Sequence, residues 1–490
     1  MSKRAIFVHA ELPFWIEVAA QLRDSYGWEI CYFVGRKEYK EKALKLFPNA
    51  VYQTTIEAKK AQRPEECKKF ACSPLDGQLL SALASHESVF MKMMDRYNFS
   101  GALTYLERLF AYHSQVMYWK GVLDSFRPDV VTFRIEPHMG YDYTLYALCR
   151  VMDIPTVMFK RTCLPGFTYP VSSFEEGSKI IRNAYARALE TSEKQQTSLT
   201  PSTETHLEKL SQSYDLAMPF HEEFKSNHYK NQGDISGPLS ILYPVAKDLI
   251  KGFLKKKDLS DVRRNYHKNM GRFKKKKLLA HYQKLTKAVD LTRPYVFAGL
   301  QCEPERQTCP IGGVFGNQYI MVDLLSKIVP NDWKIYVKEH RSQFKIYTAV
   351  ERAKTFEYYN KIASMPKVEL VPLTYTSFEL IDRAKATATV SGTIGWESVV
   401  RGRPALLFGH SWYKDCEGVF AINTVEDCHE AIRKIKNGYR VNADEVKCFA
   451  QVVENYAVKS YIDKVYEKTN TLPPEANVVN LAKAIHEFIS

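Results

Sequence analysis

Residues 129–159, DVVTFRIEPHMGYDYTLYALCRVMDIPTVMF, decide the fold. Positions 129–134 form an apolar run after a proline-containing turn, which indicates a buried strand. Positions 141–152 have the apolar spacing of a helix, and positions 154–159 form a second apolar run. A strand, a helix and a strand within about 30 residues are typical of the βαβ unit of a parallel sheet. The stretch therefore predicts an α/β fold.

The same alternation occurs on both sides of this stretch. Before it, strands are predicted at 5–10 and 29–35 around a helix at 14–26. After it, the pattern resumes near Pro294, with predicted strands at 295–301, 334–340, 368–372, 386–392 and 404–409 and helices at 318–328, 377–384 and 395–401. A chain of 490 residues is too long for one core. We therefore predict two Rossmann-like, doubly wound domains with a central cleft.

The predicted domain boundaries follow from where this alternation stops and resumes. Residues 1–290 form an N-terminal domain, which includes an inserted segment at about 173–290 that is polar, basic and mostly helical. Residues 291–430 form a second domain of βα units. Residues 431–490 are predicted to be helices that cross back to the N-terminal domain.

The net charge of +14 is concentrated in one segment. Between Lys251 and Lys277 there are twelve Lys or Arg and two Asp. This run is either a solvated helical face or a surface that is attracted to anionic lipid headgroups. Nucleic acid is not a predicted partner, because the chain has no zinc-finger, RNP or helix-turn-helix signature.

The chain has no targeting or membrane-spanning segment in its sequence pattern. No run reaches the ~18 apolar residues that a spanning helix needs. The first apolar run is broken by His9, Glu11 and Pro13, so it does not have the form of a signal peptide. A cytoplasmic protein is expected, with possible peripheral contact at the inner membrane face through residues 251–277.

Residues 390–404, VSGTIGWESVVRGRP, carry the strongest local motif. A turn of small residues follows a strand and opens a helix, so Ser391, Gly392, Thr393 and Gly395 can bring backbone N–H groups and hydroxyls to an anion. Glu397 lies one turn inside the helix and can accept hydrogen bonds from a ribose diol. The alternative is a tight turn with an N-cap Ser or Thr and no ligand.

Residues 336–340, YVKEH, carry a second motif. The predicted strand delivers Lys338, Glu339 and His340 to its C-terminal edge, where open α/β sheets bind ligands. Lys338 or His340 can neutralise phosphate, and a protonated imidazole can assist a departing phosphate. The alternative is ordinary surface charge.

Residues 300–310, LQCEPERQTCP, follow the first strand of the second domain. Glu303 and Glu305 lie in a loop bent by proline, and a carboxylate there can act as general base or nucleophile. The alternative is a loop that is held by a salt bridge to Arg306.

Residues 134–143, RIEPHMGYDY, end a strand of the first domain. Glu136, His138 and Asp142 are candidates for contact with a substrate. Alternatively, Asp142 caps the following helix and His138 packs in the loop.

Several common sites are absent from the sequence. There is no G-x-x-x-x-G-K-[ST] loop, no G-x-G-x-x-G after the first strand and no G-x-S-x-G elbow. These absences disfavour a P-loop NTPase, a dinucleotide dehydrogenase and the usual hydrolase. A metal-binding D-x-D is absent too, so we expect neither a cofactor nor a required metal.

In this order and spacing, the four motifs over roughly residues 125–425 resemble the capsule polysaccharide biosynthesis family, which includes Kdo transferases. The resemblance implies a GT-B-like glycosyltransferase that binds a CMP-activated sugar acid in its C-terminal domain. Lys338, Glu339 and His340 match the family's K-E-H-P segment near the nucleotide. Ser391, Thr393, Gly395 and Glu397 match its phosphate and ribose loop.

The resemblance also implies the remaining roles. Glu305 falls where a catalytic carboxylate at the anomeric carbon is expected, with Glu303 as the competing match, and His138 falls in the acceptor-side loop. Two positions depart from the family pattern: Arg341 replaces the proline of K-E-H-P, and the usual catalytic Asp is a Glu here. These departures bear on the donor sugar more than on the fold.

The sequence thus predicts transfer of a sugar from a nucleotide-activated donor to a saccharide or lipid-linked acceptor. Three alternatives stay open. The chain could be a CDP-alcohol phosphotransferase of the teichoic-acid type, a non-catalytic polysaccharide-binding or export protein, or a UDP-sugar epimerase.

Overall fold

The computed structural model describes residues 2–68, 73–97, 103–190, 198–214, 274–344, 353–463 and 472–490. Most of the predicted basic segment, residues 251–273, lies outside the described residues. The chain divides into two compact units. Unit 1 comprises Met1–Met94, Thr104–Thr203 and Lys447–Ser490, and unit 2 comprises Asp95–Leu103 and Glu204–Val446.

Unit 1 is built on a seven-stranded sheet with the order β3-β2-β1-β4-β5-β6-β13. Neighbouring strands from β3 to β5 are parallel, whereas β6 is antiparallel to β5 and β13 is antiparallel to β6. The strands are β1 Arg4–Ala10, β2 Glu29–Gly35, β3 Val51–Thr54, β4 Val130–Phe133, β5 Thr156–Arg161, β6 Phe167–Val171 and β13 Val458–Lys459.

Among the described residues of the first half of the chain, eight α-helices occur between and after the first six strands in sequence, and most of the last one belongs to unit 2. They are α1 Pro13–Tyr26, α2 Lys40–Leu46, α3 Thr55–Lys59, α4 Gly77–Tyr97, α5 Tyr105–Phe126, α6 Tyr141–Val151, α7 Lys179–Glu190 and α8 Pro201–Gln212. Helix α1 shows how local sequence sets its bounds. It begins at Pro13, whose fixed φ suits a first turn, and it ends at Gly27, which has the left-handed φ of 68° that glycine tolerates.

Unit 2 is built on a six-stranded, all-parallel sheet with the order β9-β8-β7-β10-β11-β12. Its strands are β7 Tyr295–Gly299, β8 Lys334–Lys338, β9 Val368–Leu370, β10 Ala386–Thr389, β11 Ala405–Leu407 and β12 Val419–Ala421. The helices that follow α8 are α9 274–285, α10 Gln318–Ile328, α11 Phe356–Ala363, α12 Ser377–Arg383, α13 Ile394–Val400, α14 Val425–Lys436, α15 Ala443–Tyr456 and α16 Pro474–Ile489.

Each sheet has the doubly wound strand order 3-2-1-4-5-6 of a Rossmann fold, counted along its own unit. The prediction of an α/β chain with two Rossmann-like domains is therefore confirmed. In each unit the strand order reverses beside the first strand, between β1 and β4 in unit 1 and between β7 and β10 in unit 2. Ligands of open α/β sheets bind at such a reversal, outside the carboxyl ends of the strands.

Each unit has its own apolar core. The unit 1 core includes Trp15, Phe33 and Leu481, and the unit 2 core includes Leu325 and Tyr359, all fully buried. Leu481 belongs to α16, so the end of the chain packs into the core of unit 1.

The C-terminal segment also holds unit 1 through polar contacts. The Asn477 side chain accepts from the Tyr461 N–H at 2.8 Å and donates to the Tyr461 carbonyl at 3.1 Å. The Arg134 guanidinium donates to the Ile462 carbonyl and lies 3.2 Å from Asp463. The sequence analysis expected only helices here, but the two-residue strand β13 adds to the sheet edge at β6.

The boundary between the two units differs from the predicted boundary at residue 290. Unit 2 includes residues from Glu204 onward. Leu278 and Tyr282, one turn apart on α9, are buried in the unit 2 core, and the Tyr282 hydroxyl donates to the Val371 carbonyl at 2.6 Å. Lys274, Lys276 and Lys277 are exposed on the same helix.

Among the described residues, no helix combines the length and the apolar character that crossing a lipid bilayer requires.

Candidate functional site

The C-terminal edge of the unit 2 sheet brings three predicted motifs together. Strands β7, β8 and β10 are adjacent and parallel, so their carboxyl ends lie at one edge. Lys338 is the last residue of β8, and Gln301 and Ser391 come just after β7 and β10. Gln301 contacts Ser391 directly, since its Oε1 accepts from the Ser391 N–H at 3.1 Å. This edge is the candidate ligand site of unit 2.

Lys338 is a buried cation at the end of β8. Its side chain is 5% exposed, and within the described ranges its ammonium group has no hydrogen bond or ion pair. Burial lowers the pKa of Lys338 to about 8, and the nearby charge of Arg341 adds to this, against the opposing effect of Glu339, Glu397 and Glu379. An anion that bound here would supply the missing partner.

Glu397 lies in the same electrostatic environment. It is buried on α13 and accepts a hydrogen bond of 2.7 Å from the Thr393 hydroxyl. Burial raises the pKa of Glu397 to about 7, although Thr393, Arg401 and Lys338 each oppose the rise. At neutral pH this side chain is therefore partly protonated and can both donate and accept hydrogen bonds.

The small-residue loop before α13 is held by internal contacts. The Ser391 hydroxyl donates to the Gln307 carbonyl at 2.7 Å, and the Tyr413 hydroxyl donates to the Gly392 carbonyl. A Cβ atom at Gly395 would collide with the Tyr413 hydroxyl, which explains the glycine. The hydroxyls of Ser391 and Thr393 are thus engaged within the protein, and α13 has only seven residues. The loop therefore provides fewer hydrogen-bond donors for an anion than its sequence suggests. The Lys338 ammonium group is better suited to pair with an anion.

Glu339 is a positioning residue in this structure. Its side chain is 0% exposed, and its carboxylate binds Lys354 at 2.8 Å and the Tyr359 hydroxyl at 2.7 Å. One carboxylate oxygen also accepts from the His340 N–H at 2.7 Å. Glu339 therefore holds the start of the loop after β8 through buried contacts.

His340 projects from that loop and is partly exposed. Its Nδ1 accepts from the Ser342 N–H at 3.2 Å, so the neutral ring carries its hydrogen on Nε2. A hydrogen on Nε2 suits donation to a phosphate or a base. Arg341, which replaces the family's proline, stacks over the Tyr214 ring at 5.1 Å and donates to the Tyr375 carbonyl at 3.4 Å.

The two candidate carboxylates of the β7 loop differ in their environment. Glu303 is 5% exposed, and its carboxylate accepts from Gln318 at 2.6 Å, while its backbone exchanges two hydrogen bonds with Gln343. Glu305 is more exposed, and its backbone carbonyl accepts from Thr308 and Cys309. Glu305 is thus the more accessible of the two.

At the reversal point of unit 1, the structure places the residues of the fourth predicted motif, at 134–143, mostly inside the protein. Asp142 is 0% exposed, lies in the first turn of α6 and accepts from the backbone N–H groups of His138, Met139 and Tyr143 at 2.6 to 3.0 Å, so it holds the preceding loop against the start of the helix. Glu136 is buried 3.8 Å from Lys160. His138 is partly exposed, and its Nδ1 lies 2.9 Å from the Glu136 carbonyl.

His9 completes this cluster, and the sequence analysis missed it. Its Nε2 lies 2.5 Å from Asp142 Oδ2, and its ring centroid lies 5.7 Å from that of His138. The only signal in the sequence was a polar, titratable residue at the end of the first apolar strand, which we interpreted as a break in the apolar run. Asp142 and His9 are 133 residues apart, so their pairing depends on the sheet order.

Ligand atoms of His9, His138 and Asp142 lie within 4.8 Å of one another, as in a potential metal site. However, the Asp142 carboxylate already accepts three backbone hydrogen bonds and one from His9. A metal would have to displace these donors, so the geometry favours a hydrogen-bonded His–Asp pair.

Comparison with known proteins gives distant similarities to solved structures. One is UDP-GlcNAc 2-epimerase from Methanocaldococcus jannaschii, with 12% identity and a TM-score of 0.26, which covers 92% of this chain and 99% of that one. Another is KpsC, a β-Kdo 2,7 transferase from Thermosulfurimonas dismutans, with 8% identity and a TM-score of 0.30, over 75% of this chain and 88% of that one. A third is UDP-GlcNAc 2-epimerase from Neisseria meningitidis bound to UDP-GlcNAc, with 12% identity and a TM-score of 0.21, over 99% of both chains.

No protein-family model and no curated protein matches the chain. At TM-scores of 0.21 to 0.30, none of the three structures establishes what this protein binds or transfers.

Proposed function

We propose that the protein is a glycosyltransferase that moves a sugar from a nucleotide-activated donor to a saccharide or lipid-linked acceptor in the synthesis of a surface polysaccharide. Unit 2 binds the donor and unit 1 binds the acceptor. The preferred donor is a CMP-linked sugar acid such as Kdo, from the resemblance of the four motifs. The observation that carries the proposal is the buried Lys338 at the reversal point of the unit 2 sheet, whose ammonium group has no hydrogen bond or ion pair to any residue that the structure describes.

An unpaired cation at this position implies an anionic ligand. Keeping a charge out of water costs free energy unless a counter-charge is near, and the low pKa of Lys338 reflects that cost. A donor phosphate would pair with the ammonium group. The pKa of Lys338 would then rise, so nucleotide binding should take up a proton near pH 8.

The neighbours of Lys338 suit the rest of a nucleotide. Glu397, partly protonated, can hydrogen-bond a ribose diol in either direction. His340 can donate from Nε2 to a phosphate oxygen and so assist its departure. Glu305, the accessible carboxylate of the β7 loop, is the preferred catalytic carboxylate over the buried Glu303.

A thermal-shift assay with CMP, CDP, UDP, GDP and ADP tests the proposal. A ligand of the folded state raises its stability by roughly 2.7 kcal/mol at one hundred times its dissociation constant. We expect a shift with CMP or CDP in the wild type, and its loss in Lys338→Met. The matched control is Lys334→Met, which removes the same charge from the other end of β8, where Lys334 pairs with Glu369 at 2.7 Å.

Each outcome has a defined meaning. A shift with UDP or GDP alone would keep a nucleotide site but exclude the cytidine donor. Equal shifts in the wild type and Lys338→Met would place the nucleotide elsewhere. The absence of any shift with all five nucleotides would contradict the proposal.

A further inference from the structure

The backbone at His9 is distorted in a way that aims its side chain. Between Phe7 and Ala10, β1 advances three residues while β2 advances two, from Phe33 to Gly35, so His9 lies in a β-bulge. Its φ is 64°, in the left-handed region that few side chains adopt. Bulges and such backbone strain concentrate beside active sites, where they redirect a side chain.

Asp142 fixes the orientation of the His9 ring. Burial alone would raise the pKa of Asp142, but the His9 hydrogen bond, the charges of His9 and His138 and the backbone N–H of His138 lower it to about 2. The carboxylate therefore stays ionised and accepts hydrogen bonds only. The neutral imidazole must then carry its hydrogen on Nε2, which points to Asp142 at 2.5 Å.

This arrangement leaves Nδ1 of His9 with a lone pair. Nδ1 is buried and has no hydrogen-bond partner among the residues that the structure describes, and the residue as a whole is 1% exposed. A histidine that serves only to fill a core is expected to satisfy both ring nitrogens. An oriented ring with one unused acceptor atom is instead the arrangement of a base that is held by a carboxylate.

We propose that His9 is the general base that removes the proton from an acceptor hydroxyl of a saccharide, and that Asp142 is its positioning residue. This inference rests on the proposed glycosyl transfer and assigns a catalytic group that neither the motifs nor the family resemblance indicated. Because His9 is buried, the acceptor reaches Nδ1 after local opening of the surrounding residues, among which Tyr141 and His138 lie closest by ring distance.

The acceptor O–H bond breaks and its proton forms an N–H bond at His9 Nδ1. The acceptor oxygen forms a bond to the anomeric carbon of the donor, while the bond from that carbon to the phosphate oxygen breaks and its electron pair leaves with the nucleotide. The imidazolium cation is stabilised by the Asp142 carboxylate until the proton passes to solvent.

The decisive variant is His9→Gln, with His86→Gln as its matched control. His86 is a partly buried histidine of the same unit, and its Nδ1 lies 3.0 Å from the Tyr143 hydroxyl. Release of nucleotide from CMP-Kdo or UDP-N-acetylglucosamine is followed with octyl glycosides of glucose, galactose and N-acetylglucosamine as acceptor probes. We expect roughly a 100-fold or greater loss of transfer in His9→Gln and wild-type transfer in His86→Gln. Both variants should show the circular dichroism of the folded wild type, and CMP binding should stay unchanged in both.

A second measurement does not depend on activity. Nitrogen NMR of protein labelled with ¹⁵N-histidine gives the tautomer of each ring, and the signal missing in His9→Gln identifies His9. We expect the neutral His9 ring to carry its hydrogen on Nε2, and a mixture of tautomers in Asp142→Asn. Hydrogen on Nδ1 in the wild type, or full transfer by a folded His9→Gln, would overturn the inference. If wild-type protein neither binds nucleotide nor turns over any donor, the proposed function fails and the general-base role fails with it, whereas the tautomer measurement still tests whether Asp142 orients the His9 ring.

Discussion

At the scale of single residues, burial moves the two central titratable groups of unit 2 toward their neutral forms. The pKa of Lys338 falls to about 8 and that of Glu397 rises to about 7, in both cases because burial disfavours the charge. The charge on each side chain opposes the shift of the other, but burial dominates. The site is therefore prepared for a ligand that brings negative charge.

Glu397→Gln should raise stability at high pH. The folded pKa of Glu397 lies above its ordinary value of 4.5, so the folded state loses stability as pH rises from about 4.5 through about 7. A glutamine accepts the Thr393 hydrogen bond without this cost. We expect equal stability near pH 4.5 and a gain of about 3 kcal/mol by pH 8, measured by urea unfolding across pH. A variant that is less stable than the wild type at every pH would contradict this account.

The sequence predicted which side chains lie at the candidate site of unit 2. It did not predict the hydrogen bonds and ion pairs that those side chains make. Lys338, His340 and Ser391 do lie at the carboxyl ends of neighbouring strands. Whether a carboxylate faces ligand or core depends on partners distant in sequence, such as Gln318 for Glu303 and Lys354 for Glu339. One sequence contains no signal for those pairings.

At the scale of elements, the loop after β8 depends on one buried ion pair. Lys354 and Glu339 are both 0% exposed, and Lys354 also donates to the Gln301 carbonyl at 2.9 Å, next to β7. The pair thus connects the ends of two adjacent strands. It holds the loop that presents His340.

Lys354→Met should destabilise unit 2 by about 3 to 5 kcal/mol, because it leaves the Glu339 charge buried without a partner. Adding Glu339→Gln should recover more than half of the loss. Lys361→Met is the control: Lys361 pairs with Glu357 at the surface, at 3.7 Å, and its loss should cost less than about 1 kcal/mol. Chemical denaturation of the wild type, Lys354→Met, the double variant and Lys361→Met measures these free energies of unfolding. Equal losses for Lys354→Met and Lys361→Met would show that the buried pair contributes no more stability than the surface pair.

Strongly periodic elements were predictable, and weakly patterned ones were not. The strands from β7 to β11 and the helices α10, α12 and α13 are confirmed, because parallel strands buried on both faces form continuous apolar runs. Strands β3, β6, β12 and β13 were missed. Length alone does not explain this, because β9 and β11 have only three residues each. Strand β6 contains Pro170, and β12 and β13 are partly exposed, so they lack the continuous buried apolar run of the predicted strands.

At the scale of the whole molecule, the two separate apolar cores predict two unfolding transitions. Leu481→Ala in α16 and Leu325→Ala in α10 are matched, since both side chains are 0% exposed. Each should cost about 2 to 5 kcal/mol, the first in unit 1 and the second in unit 2.

Differential scanning calorimetry distinguishes a loss of stability in unit 1 from a loss of stability in unit 2. Leu481→Ala should lower only one transition and Leu325→Ala only the other, and CMP should raise only the transition that Leu325→Ala lowers. A single transition that both variants lower equally would show that the units unfold as one.

Residues 447–490 belong to unit 1, and this affects the order in which the two units can complete their folding during synthesis. Domains usually fold from the N-terminus onward as the ribosome releases them. Here the residues up to Val446, which complete unit 2, are synthesised before the strand and helix that complete the first sheet. The later part of the chain can thus finish folding first, while the earlier part waits, with its sheet edge at β6 and its α1 surface uncovered, for the last segment to emerge.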